Sequence, residues 1–267
     1  MTFARTMIGA LTLAATLSAT GFAQAAELKM LSSWTPQNKG TWGTEQMIMA
    51  MVPEVSKGRL TIKRSGPEAV PPFEQLQPVA AGAFDILVTH GAYHSGNTAI
   101  GMALDGIQGD PAKRRETGIW DFAAKHYLKH GVATLAFVPQ GKSGYQIVLR
   151  GAVGADGGFK GLKIRGGSRE MDLILKEAGA AVVTLPSNEI YAGMQTGAMD
   201  AALTSSTSLI SFRLEEVSKA LTTGRGKSYW FMLEPLMMSK AAFDRLSKEQ
   251  QAVILQVGAD MEDRKST

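Results

Sequence analysis

Two rhythms alternate along the chain. Short apolar runs bounded by Gly, Pro, Asn or Ser read as strands, and between them apolar positions recur at helical spacing. The strands expected are Leu28–Leu31, Leu60–Lys63, Ile86–Thr89, Ala133–Val138, Gln146–Leu149, Leu162–Ile164, Ala181–Thr184, Ala201–Leu203 and Ser228–Leu233. Helices are expected over Trp42–Ser56, Pro72–Ala80, Pro111–Lys129, Arg169–Ala178, Glu189–Gln195, Ser208–Ala220 and Lys248–Glu262. This alternation predicts an α/β fold with mainly parallel strands. The last helix opens on Ser247 with Gln250 three residues on, a capping box, and turns Val253, Ile254, Val257 and Met261 to one face.

One stretch repeats. Glu74 to Asp85 ends in Gly-Ala-Phe-Asp before the strand ILVTH, and Glu189 to Asp200 ends in Gly-Ala-Met-Asp before AALTS. Glycine suits the left-handed position after a helix, and the aspartate can tie the turn that starts the strand. The repeat predicts two similar lobes, one before about residue 140 and one after. Two α/β lobes enclose a cleft beyond the carboxyl ends of their strands. That rule selects Ser33-Trp34, His90 to Tyr93, Arg165-Gly166-Gly167 and Thr204-Ser205-Ser206.

Composition narrows the class. The first residues carry Arg5, an apolar run from Met7 to Leu17 and Ala23-Gln24-Ala25, the layout of a secretory leader cleaved near Ala25. Thr12, Thr16, Ser18 and Thr20 interrupt it too often for a membrane span. The 267 residues contain no cysteine, which excludes disulfides, thiolate nucleophiles and Cys metal sites. A net charge of +4, dispersed along the chain, leaves no footprint for nucleic acid.

Catalytic patterns fail on inspection. The run Ala136 to Ser143 imitates a phosphate loop but begins with Ala and holds Pro139. Gly166-Gly167-Ser168-Arg169-Glu170 lacks the final glycine of a nucleophile elbow. His126 and His130 have helical spacing but no third metal ligand nearby, so they read as surface residues. His90 and Tyr93 follow a buried-looking strand and read equally as pocket lining or packing. Trp34 is either a stacking platform or a sheet cap. Arg165 stands out because Gly166 and Gly167 clear space beside it and a helix begins at Arg169. Its planar fork of N–H donors matches a carboxylate.

The segments FKGLKIRGG (159–167), EIYAGMQTGAMDAAL (189–203), Phe212 to Thr222 and WFMLEPLMMSKAAFDRLSKEQQAVILQVGADME (230–262), with the leader, resemble the DctP-type solute-binding proteins of tripartite ATP-independent periplasmic (TRAP) transporters. The resemblance implies a two-lobed, type II periplasmic-binding-protein-like α/β fold, with mixed sheets, helices on both faces and the ligand cleft between lobes. Residues 26–140 with about 230–267 would form lobe I and 141–229 lobe II. It further implies a periplasmic receptor for a small organic acid, serving the membrane permease subunits of such a transporter without itself spanning the membrane. Arg165 takes the position of the family's carboxylate anchor. Gln146, Arg150, Trp34, His90, Tyr93, Thr204 and Ser205 complete the expected ligand site. Keto-acid receptors of the family place Glu-Trp after the second-lobe Asp-Ala; here the stretch is Asp200 to Ser205 without either, so a ligand-bridging cation stays open but has no support in these residues, and no cofactor is expected. Sialic-acid-type receptors carry Asn near the position of Thr204 and a second upstream arginine, for which Arg150 and Gln146 are the nearest candidates. The family usually continues past Met261 with a long helix, so the chain reads as shortened. The alternatives are a ligand sensor acting on a signalling partner and an exported enzyme.

Overall fold

The computed structural model of the protein describes residues 25–107, 110–140, 144–153, 155–222 and 230–266. The expected leader, residues 141–143 of the loop-like run, and Ser228 at the start of an expected strand lie outside the described residues.

The chain begins with β1 (Ala26–Ser32), α1 (Lys39–Val55), β2 (Leu60–Ser65), α2 (Leu76–Ala80), β3 (Ile86–Val88), α3 (Ile100–Asp105), α4 (Pro111–Glu116), α5 (Ile119–Leu128) and β4 (Val132–Pro139). It continues through β5 (Tyr145–Leu149), β6 (Lys163–Gly166), α6 (Arg169–Glu177), β7 (Ala181–Thr184), α7 (Ile190–Gln195), β8 (Ala201–Ser205), α8 (Ser206–Ser211) and β9 (Ala220–Leu221). It returns with β10 (Leu233–Ser239), α9 (Lys240–Arg245) and α10 (Lys248–Ser266).

Two five-stranded sheets form, in the orders β2-β1-β3-β10-β4 and β7-β6-β8-β5-β9. The two orders are one topology used twice. In each sheet a single strand, β10 or β5, runs against its four companions. The chain therefore crosses between sheets twice, between β4 and β5 and between β9 and β10.

The repeated Gly-Ala-x-Asp sits at equivalent places. Gly82 and Gly197 adopt φ of +82° and +76°, the left-handed turn that side chains resist. Asp85 Oδ2 accepts the Lys29 N–H at 2.8 Å and its own N–H donates to Lys29 O. Asp200 does the same with Lys163 at 2.8 Å. Each aspartate thus fixes the register of the strand beside it.

Lobe I is closed by α10, which packs on β4. Ser247 N–H donates to Gln250 Oε1 and Gln250 N–H to Ser247 Oγ, the expected capping box. Ile254, Val257 and Met261 are buried, each contributing roughly 1.5–3 kcal/mol. Gly258 lies so close to β4 that a Cβ would stand 2.2 Å from Leu135 O. Glu262 accepts from Phe137 N–H at 2.5 Å, Arg115 at 2.7 Å and Trp120 Nε1 at 2.9 Å.

Four expected elements differ. The helix over Pro72–Ala80 is a 3-10 turn, Pro72–Glu74, followed by α2 from Leu76. The helix over Pro111–Lys129 breaks into α4 and α5 because Gly118 takes φ +75°. The helix over Ser208–Ala220 stops at Ser211, and Arg213 at φ +55° turns the chain toward the short β9. The last strand occupies Leu233–Ser239 rather than Ser228–Leu233.

Candidate functional site

Between the sheets lies a cavity of about 20 Å³. Trp34 and Tyr93 line it from the first lobe, Arg165, Thr204 and Ser205 from the second. His90 completes the wall on the first side. The strand-end rule works because parallel strands in both sheets deliver their carboxyl ends to one crevice.

Arg165 is 3% exposed, at the end of β6. Its Nε donates to Leu185 O and its Nη1 to Leu203 O, both at 2.7 Å. No carboxylate of the described residues forms an ion pair with it. Burial pulls its pKa below the ordinary arginine value, while Tyr93, Tyr145 and Asp172 act in the opposite direction. A guanidinium does not surrender its proton within the physiological range, so the site holds a buried positive charge, bonded to two backbone carbonyls and attracted by Asp172 without an ion pair to it.

The two glycines behind it have separate duties. A Cβ on Gly167 would stand 2.8 Å from Arg165 Nη2, so this residue leaves the guanidinium uncovered. A Cβ on Gly166 would collide with Asp172 of α6. The start of α6 is less open to an anion than the sequence implies. Ser168 Oγ accepts the Met171 N–H at 3.1 Å, and Ser95 Oγ from the opposite lobe accepts the Arg169 N–H at 3.3 Å.

Several bonds join the lobes across the cavity. Ser187, in the loop after β7, takes the Trp34 Nε1–H at 3.2 Å and the Tyr93 hydroxyl at 2.9 Å on its Oγ. Its N–H donates to Tyr93 Oη at 3.0 Å. Tyr93 is further held by Trp34, with ring centroids 5.6 Å apart, and edge-on by Phe73. Tyr145 Oη lies 3.3 Å from His90 Nε2. Burial pushes the Tyr145 hydroxyl well above the usual tyrosine value, so it remains a neutral donor.

Two expected site residues fall elsewhere. Arg150 follows the end of β5, and β5 is the antiparallel strand, so that end lies at the sheet edge away from the cavity. It is exposed, its N–H bonds to Asp200 O at 2.8 Å, and its guanidinium lies beside Gly197. Gln146 is half-buried, does not line the cavity, and accepts from Ser206 Oγ. The same strand reversal brings Tyr145, at the amino end of β5, into the site, where the sequence reading did not place it. Ser187, which the sequence alone does not single out, also enters the site, following β7 as the strand-end rule requires. His126 is half-buried and bonds Thr98 Oγ1 at 2.5 Å, with His130 at 5.3 Å between ring centroids. Among the described residues no group of three metal-ligating side chains forms, and no helix is long and apolar enough to cross a membrane.

The profile of the DctP family, bacterial extracellular solute-binding protein family 7, matches residues 32–266. The chain belongs to this family. A TRAP periplasmic solute-binding protein from Rhodoferax ferrireducens, solved with bound malonate, is 39% identical. It superposes with a TM-score of 0.76 over 90% of this chain and 78% of its own. DctP7 of Bordetella pertussis, a receptor binding pyroglutamic acid, shares the fold at a TM-score of 0.79 and 20% identity, over 90% of this chain and 80% of its own. A solute-binding protein of Albidiferax ferrireducens is 78% identical over 103 residues, 39% of this chain and 30% of that protein. A monocarboxylate 2-oxoacid-binding periplasmic protein of Nostoc is 27% identical over 184 residues, covering 65% and 49%. The chain thus spans about half the length, or less, of these curated relatives.

Proposed function

We propose that the protein is a periplasmic receptor that closes on a small organic acid and delivers it to the permease subunits of a TRAP-type transporter. The observation that carries this reading is Arg165, a buried cation in an interlobe cavity with no carboxylate of the described residues paired to it. Such a charge is stabilised by an incoming anion, and a carboxylate fits its fork in two parallel bonds. The 39%-identical relative holds malonate, a carboxylate, which supports the same class of ligand.

Trp34, His90, Tyr93, Thr204 and Ser205 form the walls, with Tyr145 and Ser187 added. A space of about 20 Å³ suits roughly one water, so seating a larger solute requires the lobes to part. The moving bodies are residues 26–140 with about 230–267 against 141–229. The bonds from Ser187 to Trp34 and Tyr93 break and re-form as they do so.

A thermal-shift screen over organic acids, followed by calorimetric titration, tests the reading. One class of carboxylates should raise the melting temperature and bind one per chain. A screen in which neutral sugars or amines bind and carboxylates do not would overturn it.

A further inference from the structure

A solute held at Arg165 has to pass from solvent into a cavity of about 20 Å³. Two larger grooves open between the lobes. One, of about 520 Å³, runs between Phe73, Ser95 and Asn97 of lobe I and Arg169, Leu173 and Lys176 of lobe II. The other, of about 480 Å³, runs between Thr35 and Gln37 of lobe I and Tyr191 and Arg213 of lobe II. The first shares Ala92, Tyr93 and Gly167 with the cavity, whereas the second shares none of its lining. A Cβ on Gly167 would stand 2.8 Å from Arg165 Nη2, so the first groove and the guanidinium meet across a residue with no side chain. Tyr93 turns its hydroxyl to Ser187 in the cavity and packs edge-on against Phe73 of the groove, with ring centroids 5.3 Å apart. The grooves also differ in charge. Arg169 and Lys176 are exposed, and neither forms an ion pair among the described residues. Asp172, the acid of that lining, accepts the Thr184 hydroxyl. In the second groove Arg213 is paired with Glu216, which also accepts the Tyr191 hydroxyl.

Granted the carboxylate reading above, we propose that the first groove is the route by which the acid reaches Arg165, crossing the wall of Tyr93 and Gly167, and that Arg169 and Lys176 draw it in. Unpaired cations at a mouth raise the local concentration of anions, so they act on association more than on dissociation. The second groove offers neither a shared wall nor an unpaired cation among its lining residues.

The chain has no cysteine, so a single one can be labelled at either mouth. Leu173→Cys in the first groove and Gln37→Cys in the second, both at exposed positions, are coupled to a bulky maleimide. Stopped-flow tryptophan fluorescence then follows the binding of malonate and of pyroglutamate, with Trp34 in the cavity wall as reporter. The label at 173 should slow association and dissociation together by about tenfold or more, with Kd changed less than about threefold, because blocking a route leaves its end states alone. The label at 37 should leave both rates unchanged. Unchanged rates with the label at 173, or slowing with the label at 37 alone, overturn the route. Faster dissociation and a weaker Kd with the label at 173 overturn it as well, since the label would then obstruct lobe closure. Arg169→Gln combined with Lys176→Gln should slow association about threefold at about 0.1 M ionic strength and leave it unchanged at about 1 M, where screening shortens to about 3 Å. Equal association by variant and parent at the lower ionic strength removes the steering role. A parent that binds no carboxylate of the thermal-shift screen overturns the receptor reading, and the route with it.

Discussion

Leu31 and Arg165 occupy the same place in two copies of one topology. Each lies two residues beyond the lysine tied to a Gly-Ala-x-Asp aspartate, and each pairs with the second residue after that aspartate, Leu87 or Ala202. In lobe I the position is a fully buried leucine in an apolar cluster. In lobe II it is a buried cation whose Nε and Nη1 rest on two carbonyls. The partner across the ladder shrinks from Leu87 to Ala202, which leaves room for the guanidinium. A second pair differs in the opposite sense: the registers on β3 and β8 make Glu234 of β10, a buried carboxyl in lobe I, the counterpart of Tyr145 of β5. At the Leu31/Arg165 position one scaffold thus serves as a packed core in one lobe and as a charged binding wall in the other. Side chains at equivalent positions, rather than topology, assign the roles.

The comparison breaks most visibly if the roles are exchanged. Leu31→Arg places a cation in a cluster without arranged carbonyls and should cost about 4 kcal/mol or more, leaving little folded protein in a urea titration. Next in size is Glu234, whose carboxyl burial pushes up to about 8 from 4.5. Its folded form holds the proton after the unfolded form has lost it. Stability is therefore greatest below about pH 4.5, falls as pH rises toward 8, and changes no further above that from this group. The total is on the order of a few kcal/mol. Glu234→Gln should remove this slope, read as urea midpoints compared across that range.

Smaller effects sharpen the site. Gly167→Ala should displace the Arg165 fork and weaken ligand binding by about tenfold, about 1.4 kcal/mol, with the melting temperature nearly unchanged. Asp85→Ala and Asp200→Ala should each cost about 1 kcal/mol through the lost turn bond. Asp85 should be the larger of the two, since it also meets Arg245 at 3.3 Å.

Much of this is legible in the residues, for physical reasons. The repeated aspartate turn is local chemistry, and it marks β3 and β8 correctly. Arg165 is visible because glycines flank it and the strand before it is apolar. Strand direction is not local, and nothing in Tyr145 to Arg150 states that β5 runs against its neighbours, so the sequence does not reveal that Tyr145 faces the cleft and that Arg150, a candidate only through the family resemblance, lies at the far end. Pro235 similarly obscures β10, because proline argues against an inner strand. The ladder tolerates it there since β3 is short and pairs only from Leu236 onward, leaving Pro235 opposite Phe137 of β4 alone. Gly118 is a helix stop that the apolar rhythm on both sides conceals.

The most direct test copies lobe I into lobe II. Arg165→Leu should fold with a melting temperature equal to or above that of the parent, since apolar replacement of a buried charge is often neutral or stabilising. Titrated by calorimetry with the carboxylate that binds the parent best, the variant should give no measurable heat of binding. A folded variant that binds that carboxylate as tightly as the parent would contradict the assignment of Arg165 as anchor.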